Sequence, residues 1–209
     1  SDIYRGQFDR DQMHGRGFYM FNQGHEMMQN SLFYAGEFKE GIAHGNGKMV
    51  FKDGTKYTGQ LVNGMLHSDN AEIKYGNGDL YKGVISQGRK NGAGGVYTYR
   101  NGDVYEGKFQ NDRKSDQSGK MKYGRLDVQY YGEFKDDRKI GKGVLEFGEN
   151  GQLGFYKGEL DSNEELCGKN QTFEFPQQKM VYTGDFSRNQ FHGEGQIDHQ
   201  DTGNVFKGQ

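Results

Sequence analysis

Histidine is the residue type in this chain with the clearest capacity to bind a metal ion, and four of its six histidines recur at one place in a repeated pattern. They are His14, His44, His67 and His192. A residue that recurs in phase with a structural motif usually has a structural role. The fourth to seventh repeats lack the histidine, and the sequence offers no cluster of ligands with metal-binding spacing. We therefore predict a turn or hydrogen-bonding role for these histidines and no metal site.

Glycine pairs separated by one residue, as in residues 45–47 and 193–195, could suggest a phosphate-binding loop. Such a loop must follow a strand and open a helix, and no helical period is visible here. The sequence also shows no nucleophile–base arrangement and no paired carboxylates with a pocket to hold them. The one cysteine, Cys167, predicts a structural or exposed thiol and fits a reducing, cytoplasmic compartment. We predict a protein that is not an enzyme, has no catalytic residues and binds no cofactor.

Three Arg-Lys pairs occupy the same phase of three consecutive repeats, in predicted hairpin loops. They are Arg89-Lys90, Arg113-Lys114 and Arg138-Lys139. Two strands separate successive loops, so the pairs should line up about 10 Å apart along one edge. One hypothesis is a basic ridge that binds an acidic partner segment or anionic lipid head groups. The alternative is a solvated edge of loops with no partner.

A second candidate for partner binding is the pair Met27 and Met28, which lies in an insertion between the first two repeats. Methionine is flexible and suits adaptable surfaces. The pair either fills a bulged part of the sheet or contacts a partner, and the sequence leaves both open.

The strands that must position these residues are predicted by a repeated five-residue motif: an aromatic residue, any residue, glycine, any residue and an apolar residue. It begins at Tyr4, Tyr34, Tyr57, Tyr81, Tyr105, Tyr130, Tyr156 and Tyr182. A ninth copy opens at Phe206, which leads us to expect that the parent chain continues the repeat. Period-2 spacing puts the aromatic and the glycine on one face of a first strand, and a second alternating strand follows. Asp53-Gly54, Asn77-Gly78, Asn101-Gly102 and Asn150-Gly151 then predict type I′ hairpin turns.

Composition supports a thin β-structure held by aromatic rings. The chain has 35 glycines, 14 tyrosines and 15 phenylalanines among 209 residues, with a mean hydropathy of -1.04. Glycine beside an aromatic on the same face predicts a slot for a ring from a neighbouring strand. The net charge of -2 gives no reason to expect nucleic acid. A single sheet cannot bury both faces, so we expect one face or the end at Phe206 to meet another protein, another copy or a flanking segment.

The repeated Y-x-G-x-F, H-G-x-G and N-G or D-G elements resemble the MORN repeat family. The match is close in the first, second, fourth and eighth repeats. The sequence departs from the pattern at residues 67–69, 115–118 and 164–167, which puts the strand geometry in doubt there. The resemblance implies an all-β, elongated single-layer antiparallel sheet of about eight consecutive hairpins, forming one domain over residues 1–209.

The family resemblance also implies a structural function. We expect a cytoplasmic scaffold that binds cytoskeletal proteins in a cilium, with the axonemal radial spoke head as the first specific prediction. Another MORN protein or a second copy of the chain are possible partners. The alternatives are the regulatory part of a phosphoinositide phosphate kinase or lysine methyltransferase, and peripheral binding to anionic lipid. The lipid alternative is the weaker one, because stable anchoring generally needs two signals.

Overall fold

The computed structural model describes residues 2–22 and 30–209 of the chain, which form β-strands joined by short turns. The twenty strands belong to one antiparallel sheet, as the sequence predicts. No helix in the described ranges is long and apolar enough to cross a membrane. The strands are β1 (Ile3–Asp9), β2 (Gln12–Met20), β3 (Ser31–Lys39), β4 (Ile42–Phe51), β5 (Lys56–Val62), β6 (Met65–Leu66), β7 (Ser68–Lys74), β8 (Leu80–Ser86), β9 (Arg89–Lys90), β10 (Gly92–Thr98), β11 (Val104–Gln110), β12 (Arg113–Lys114), β13 (Asp116–Tyr123), β14 (Val128–Lys135), β15 (Arg138–Phe147), β16 (Gly154–Leu160), β17 (Leu166–Phe175), β18 (Met180–Ser187), β19 (Gln190–His199) and β20 (Val205–Gly208).

The chain divides into two compact bodies. The N-terminal body comprises residues 1–100 and 109–112, and the C-terminal body comprises residues 101–108 and 113–209. Within each body, every long strand pairs with the strand before it and the strand after it. The expectation of one domain over residues 1–209 stays a prediction.

The pairing register confirms the repeat that the sequence predicts. In the second repeat Tyr34 lies opposite Met49 and Gly36 lies opposite Gly47. In the sixth and eighth repeats the tyrosine likewise lies opposite an aliphatic residue, and the glycine lies opposite a glycine. Strand β20 pairs with β19 in that register, with Phe206 opposite Ile197. Phe206 therefore occupies the place of a repeat tyrosine, and a first strand of a ninth repeat is present.

In seven of the eight repeats the turn with two positive φ angles lies in the other loop of the hairpin, so the predicted location of the type I′ turns was wrong at three of the four sites. The turn between first and second strands has positive φ at both central residues, for example 50° at Glu40 and 79° at Gly41. In Asp53-Gly54 only the glycine has positive φ, at 85°, and its amide donates to the carbonyl of Phe51. This is a type I turn followed by a left-handed glycine. Asn77-Gly78 and Asn101-Gly102 follow the same rule, whereas Asn150-Gly151 has both φ angles positive as predicted.

The repeat tyrosines form the core of the sheet and define its front face. Tyr34 is 0% exposed, although no second layer of strands covers it. Its ring lies across the glycines of both strands of its hairpin, so that a Cβ added to Gly36 would stand 2.3 Å from the Tyr34 hydroxyl. The same hydroxyl donates to the carbonyl of Glu37, 3.0 Å away, and all eight repeats have this bond. The glycine slot is therefore filled first by the tyrosine of its own hairpin, where we predicted a ring from a neighbouring strand.

Neighbouring repeats are joined by edge-on ring contacts on the front face. The ring centroids of Tyr81 and Phe109 are 5.3 Å apart at 83° in the N-terminal body, and those of Tyr105 and Phe134 are 4.9 Å apart at 75° in the C-terminal body. Such T-shaped pairs stabilise a fold by about 0.5–1.5 kcal/mol each beyond their buried area. This contact propagates the order of one repeat to the next.

A buried carboxylate closes the fourth hairpin at the end opposite its I′ turn. Asp79 is 8% exposed and accepts bonds from the Tyr97 hydroxyl at 2.7 Å, the Arg100 amide at 2.8 Å and the Asn77 side chain at 2.9 Å. Burial alone would raise the pKa of Asp79, but these hydrogen bonds lower it below its usual value. Asp103 accepts the Gly124 amide in the same way. These contacts explain why the segment Asn-Gly-Asp recurs.

The divergent repeats keep the sheet by substituting side-chain hydrogen bonds for glycine geometry. In the fifth repeat, Asp116 accepts the amides of Lys108 and Ser118. In the seventh, the buried Gln171 accepts the amide of Glu159. The second strand is interrupted in the third, fourth and fifth repeats, where a two-residue strand precedes the longer one. Irregular geometry was predicted for the third, fifth and seventh repeats but not for the fourth. In the seventh, β17 is one uninterrupted strand whose register shifts between Gly168 and Gln171.

Candidate partner-binding surfaces

The six residues of the predicted basic ridge point in two directions. Each Arg-Lys pair lies within a strand, where consecutive side chains point to opposite faces. The arginines are exposed, whereas the side chains of Lys90 and Lys139 are only 14% and 12% exposed. The lysines turn toward the front face, so of the six ridge residues only the arginines are exposed. The partner-binding role of this edge stays a prediction.

Lys90 lies inside a cluster of aromatic rings in the N-terminal body. Its ammonium is 5.1 Å from the ring centroid of Tyr97 and 5.6 Å from that of Tyr75, and the rings of Tyr81 and Phe109 lie within 5.9 Å. It also donates to the Tyr75 hydroxyl at 3.4 Å and lies 3.9 Å from the carboxylate of Asp112. Cation–π attraction and this long ion pair hold the lysine where other repeats have Leu66 or Met13.

Lys139 has equivalent contacts in the C-terminal body. Its ammonium pairs with the Glu164 carboxylate and donates to the Tyr123 hydroxyl at 2.7 Å. Burial alone would lower the pKa of Lys139, but the hydrogen bonds to Glu164 and Tyr123 raise it above its ordinary value. Glu164 occupies the position in the seventh repeat that Arg138 occupies in the sixth. It therefore neutralises the buried Lys139 of the preceding repeat.

The remaining ridge residues are less buried. Lys114 lies 5.6 Å from the ring centroid of Tyr105, and its amide donates to Asp137. Arg113 forms an exposed ion pair with Asp136 at 3.2 Å. An exposed pair of this kind stabilises the fold by about 0–1 kcal/mol and stays open to competition from a partner. The other predicted contact residues, Met27 and Met28, lie outside the described residues.

His14, His44 and His192 are each the third residue of a second strand, and His67 lies between β6 and β7. The backbone carbonyl of His44 accepts a bond from the Tyr34 hydroxyl at 3.3 Å, and the amide of His67 donates to Gln60. Within residues 2–22 and 30–209, no group of three or more histidine, cysteine or acidic side chains is arranged to hold a metal ion.

The front face of the N-terminal body contains a groove that sequence reasoning missed. It has a volume of about 730 Å³. Leu66, Ile73 and Ile85 line its floor together with Tyr57. The lining also includes Phe51, Lys52, Asp53, Thr55, Tyr75, Lys90 and Asp112. Leu66 and Ile73 belong to the second strand of the third repeat and Ile85 to the first strand of the fourth, so the groove arises from strand pairing that no local sequence pattern shows.

Two tyrosines of this groove stay protonated near neutral pH. Burial raises the pKa of Tyr57 and of Tyr75 to about 12, so both phenols remain hydrogen-bond donors. The Lys90 ammonium carries a positive charge at the groove wall beside Asp112. The groove thus combines an apolar floor with a cation and an anion at one wall, which suits an extended or helical protein segment.

The geometry defines a protein built from repeated two-strand hairpins in a single antiparallel sheet. The family model for the MORN repeat matches residues 4–26, 34–56, 81–104, 130–152 and 182–201, together more than half of the chain. The chain belongs to the MORN repeat family. The five matched segments are the first, second, fourth, sixth and eighth repeats, and the unmatched third, fifth and seventh are those where the sequence departs from the pattern.

One solved structure that the chain matches is described as the SAS-4 (dCPAP) TCP domain in complex with a Proline Rich Motif of Ana2 (dSTIL) of Drosophila melanogaster. The two chains are 14% identical and superpose with a TM-score of 0.47. The match covers 79% of this chain and 84% of the other.

Proposed function

We propose that this protein is a non-catalytic scaffold that binds other proteins in a cytoskeletal assembly. The ciliary axoneme is the proposed location, and the radial spoke head is the proposed complex. Membership of the MORN repeat family supports an interaction function in general. The specific assembly is our inference from the family resemblance.

The observation that carries the proposal is the groove on the front face of the N-terminal body. Its floor of Leu66, Ile73 and Ile85 lies beside an exposed rim that includes Lys52. Ile73 and Ile85 are 7% and 1% exposed, so an apolar side chain of a partner segment would displace water chiefly at Leu66, with a gain of about 25 cal/mol per Å² of apolar surface. A carboxylate on the same segment would approach Lys90. The groove would therefore select a partner segment by apolar anchors and one acidic residue.

The test combines cross-linking mass spectrometry with a groove variant in cells that make the protein. We expect Lys52 of the full-length protein to cross-link to an axonemal or cytoskeletal protein. Leu66→Glu places a charge in the groove floor and should abolish those links and the recovery of the partner. Leu126→Glu is the matched control, because Leu126 is 69% exposed and lies outside the groove. Equal partner recovery with both variants would reject the groove, and links to a catalytic domain alone would reject the scaffold.

A further inference from the structure

The rear face of the sheet, opposite the repeat tyrosines, carries one continuous row of side chains in each body. The row consists of the residue before each repeat tyrosine and the cross-strand partners of that residue. In the N-terminal body the row reads Ile3, Met20, Phe33, Val50, Lys56, Lys74, Leu80 and Thr98. In the C-terminal body it reads Val104, Lys122, Gln129, Glu146, Phe155, Glu174, Val181, Asp198 and Val205. We call these the N-terminal rear row and the C-terminal rear row.

The N-terminal rear row begins with four apolar residues in register on neighbouring strands. Ile3 and Met20 are 47% and 46% exposed. The ring of Phe33 lies 5.4 Å from that of Phe18, which widens the apolar surface. Isolated exposed apolar residues need no explanation, but a contiguous patch across four strands indicates an interaction surface.

Two lysines directly opposite each other follow this apolar patch. Lys56 and Lys74 are cross-strand partners, and both are exposed. Like charges in directly opposed positions destabilise a sheet. Glu72 compensates only in part, because its carboxylate is shared between Lys74 at 3.0 Å and Lys82 at 3.3 Å. The pair of lysines would gain from further carboxylates supplied from outside.

The C-terminal rear row has the complementary chemistry. From β15 to β20 it alternates acidic and apolar residues. The acids are Glu146, Glu174 and Asp198, and the apolar residues are Phe155, Val181 and Val205. Glu174 pairs with Lys157, and Asp198 accepts bonds from the Gln196 amide. All six members of this alternation are at least partly exposed.

We propose that the N-terminal rear row of one molecule packs against the C-terminal rear row of a second copy of this chain. In this contact Val181 and Val205 face the apolar patch, while Glu174 and Glu146 approach Lys56 and Lys74. Two N-terminal rear rows would supply lysines and no carboxylate, and the β15–β20 parts of two C-terminal rear rows would supply carboxylates and no lysine. Only the mixed pairing is complementary in charge, so the two copies use different surfaces.

A bilayer fits this face less well than a protein surface does. Glu72 places a negative charge among the lysines of the same face, where anionic head groups would be repelled. A sheet surface with its own alternating side chains packs against such a face at a distance of about 10 Å.

The dimensions predict weak and salt-sensitive association. Eight strands about 4.8 Å apart give a row roughly 34 Å long, and a contact about 13 Å wide then covers on the order of 450 Å² per copy. The total of about 900 Å² falls below the roughly 1,200 Å² of a stable interface. The charged groups are exposed, so salt should screen their attraction.

Sedimentation velocity of the full chain over a range of concentrations tests the proposal, with circular dichroism to verify folding. We expect the weight-average mass of the wild type to rise with concentration at low salt and to stay near that of a monomer at high salt. The double variants K56E/K74E and E146K/E174K should each abolish the rise. Their equimolar mixture should restore it, because each charge-reversed row then meets a complementary row on the other variant.

The control is K39E/K135E, which makes the same change of charge at exposed positions outside both rows and should associate like the wild type. A wild type that stays monomeric at low salt, a control that fails to associate, or a mixture without restoration would overturn the proposal. A monomer that binds vesicles of phosphatidylcholine and phosphatidylserine through Lys56 and Lys74 would also overturn it and assign the face to lipid. No outcome depends on the front groove, so failure here leaves the proposed scaffold function untouched.

Discussion

Replacement of Gly36 by alanine tests whether the tyrosine ring over the hairpin glycines holds the sheet together. The new Cβ would lie 2.3 Å from the Tyr34 hydroxyl and 2.6 Å from the Cα of Gly47. Either the ring must leave its site or the two strands must separate. Overpacking of this kind costs about 1–3 kcal/mol, and loss of the bond from Tyr34 to the Glu37 carbonyl adds about 0.5–1.5 kcal/mol. We expect Gly36→Ala to lower the free energy of unfolding by about 2–4 kcal/mol.

Gly208 provides the matched control for this substitution. It occupies the same place after Phe206 that Gly36 occupies after Tyr34, but a Cβ there would have no atom within 4 Å. Gly208→Ala should leave stability unchanged or raise it, because glycine in a strand loses more conformational entropy than alanine on folding. Urea denaturation followed by circular dichroism measures both variants, with equal m-values required for the comparison. A cost below about 1 kcal/mol for Gly36→Ala, or equal costs for both variants, would refute the role assigned to the ring.

Two further predictions concern the hydrogen-bonded carboxylate and the alkaline stability of the sheet. Asp79→Ala leaves the Tyr97 hydroxyl and the Arg100 amide without their acceptor, so it should lower the free energy of unfolding in urea by about 1–3 kcal/mol. The control Asp69→Ala, at an exposed position, should lower it little. Equal costs would contradict the role of Asp79 in closing the hairpin. Burial raises the pKa of Tyr34 to about 12 from its ordinary value of 10.0, so the folded state favours the neutral phenol. The stability that Tyr34 contributes is therefore fully present below pH 10 and is lost as the pH rises toward 12. Unfolding free energies measured across this range should fall, and a value independent of pH would contradict the buried position of the phenol.

The sequence predicted the repeat because its physical cause is local. Period-2 alternation puts Tyr34 and Gly36 on one face, and only glycine leaves room for a ring on that face. Departures from the pattern at the third, fifth and seventh repeats were also readable, and these repeats are the ones that the family model does not match. Their hydrogen-bonded replacements were not readable, because Asp116 and Gln171 contact amides eight and twelve residues away.

The turn types were assigned to the wrong loops for a reason that depends on pairing. Asn-Gly and Asp-Gly favour type I′ turns in isolation. Here the Asn77 side chain accepts the amide of Asp79 at 3.0 Å, and Asp79 in turn accepts the amide of Arg100 across the hairpin. These bonds fix a longer connection at that end and leave the I′ turn to pairs such as Glu40-Gly41.

The sequence by itself determined the number of hairpins, their alternation and the face that bears the tyrosines, since each depends on spacing along a few residues. Only the tertiary structure decided the environment of each charge. Lys90 lies among aromatic rings, whereas the adjacent Arg89 is exposed. The reason is that consecutive residues of a strand point to opposite faces, and only the front face has rings within reach of this strand. Strand pairing also places Lys56 opposite Lys74 and brings Glu146, Phe155 and Glu174 side by side on neighbouring strands. No local sequence pattern predicts these neighbours.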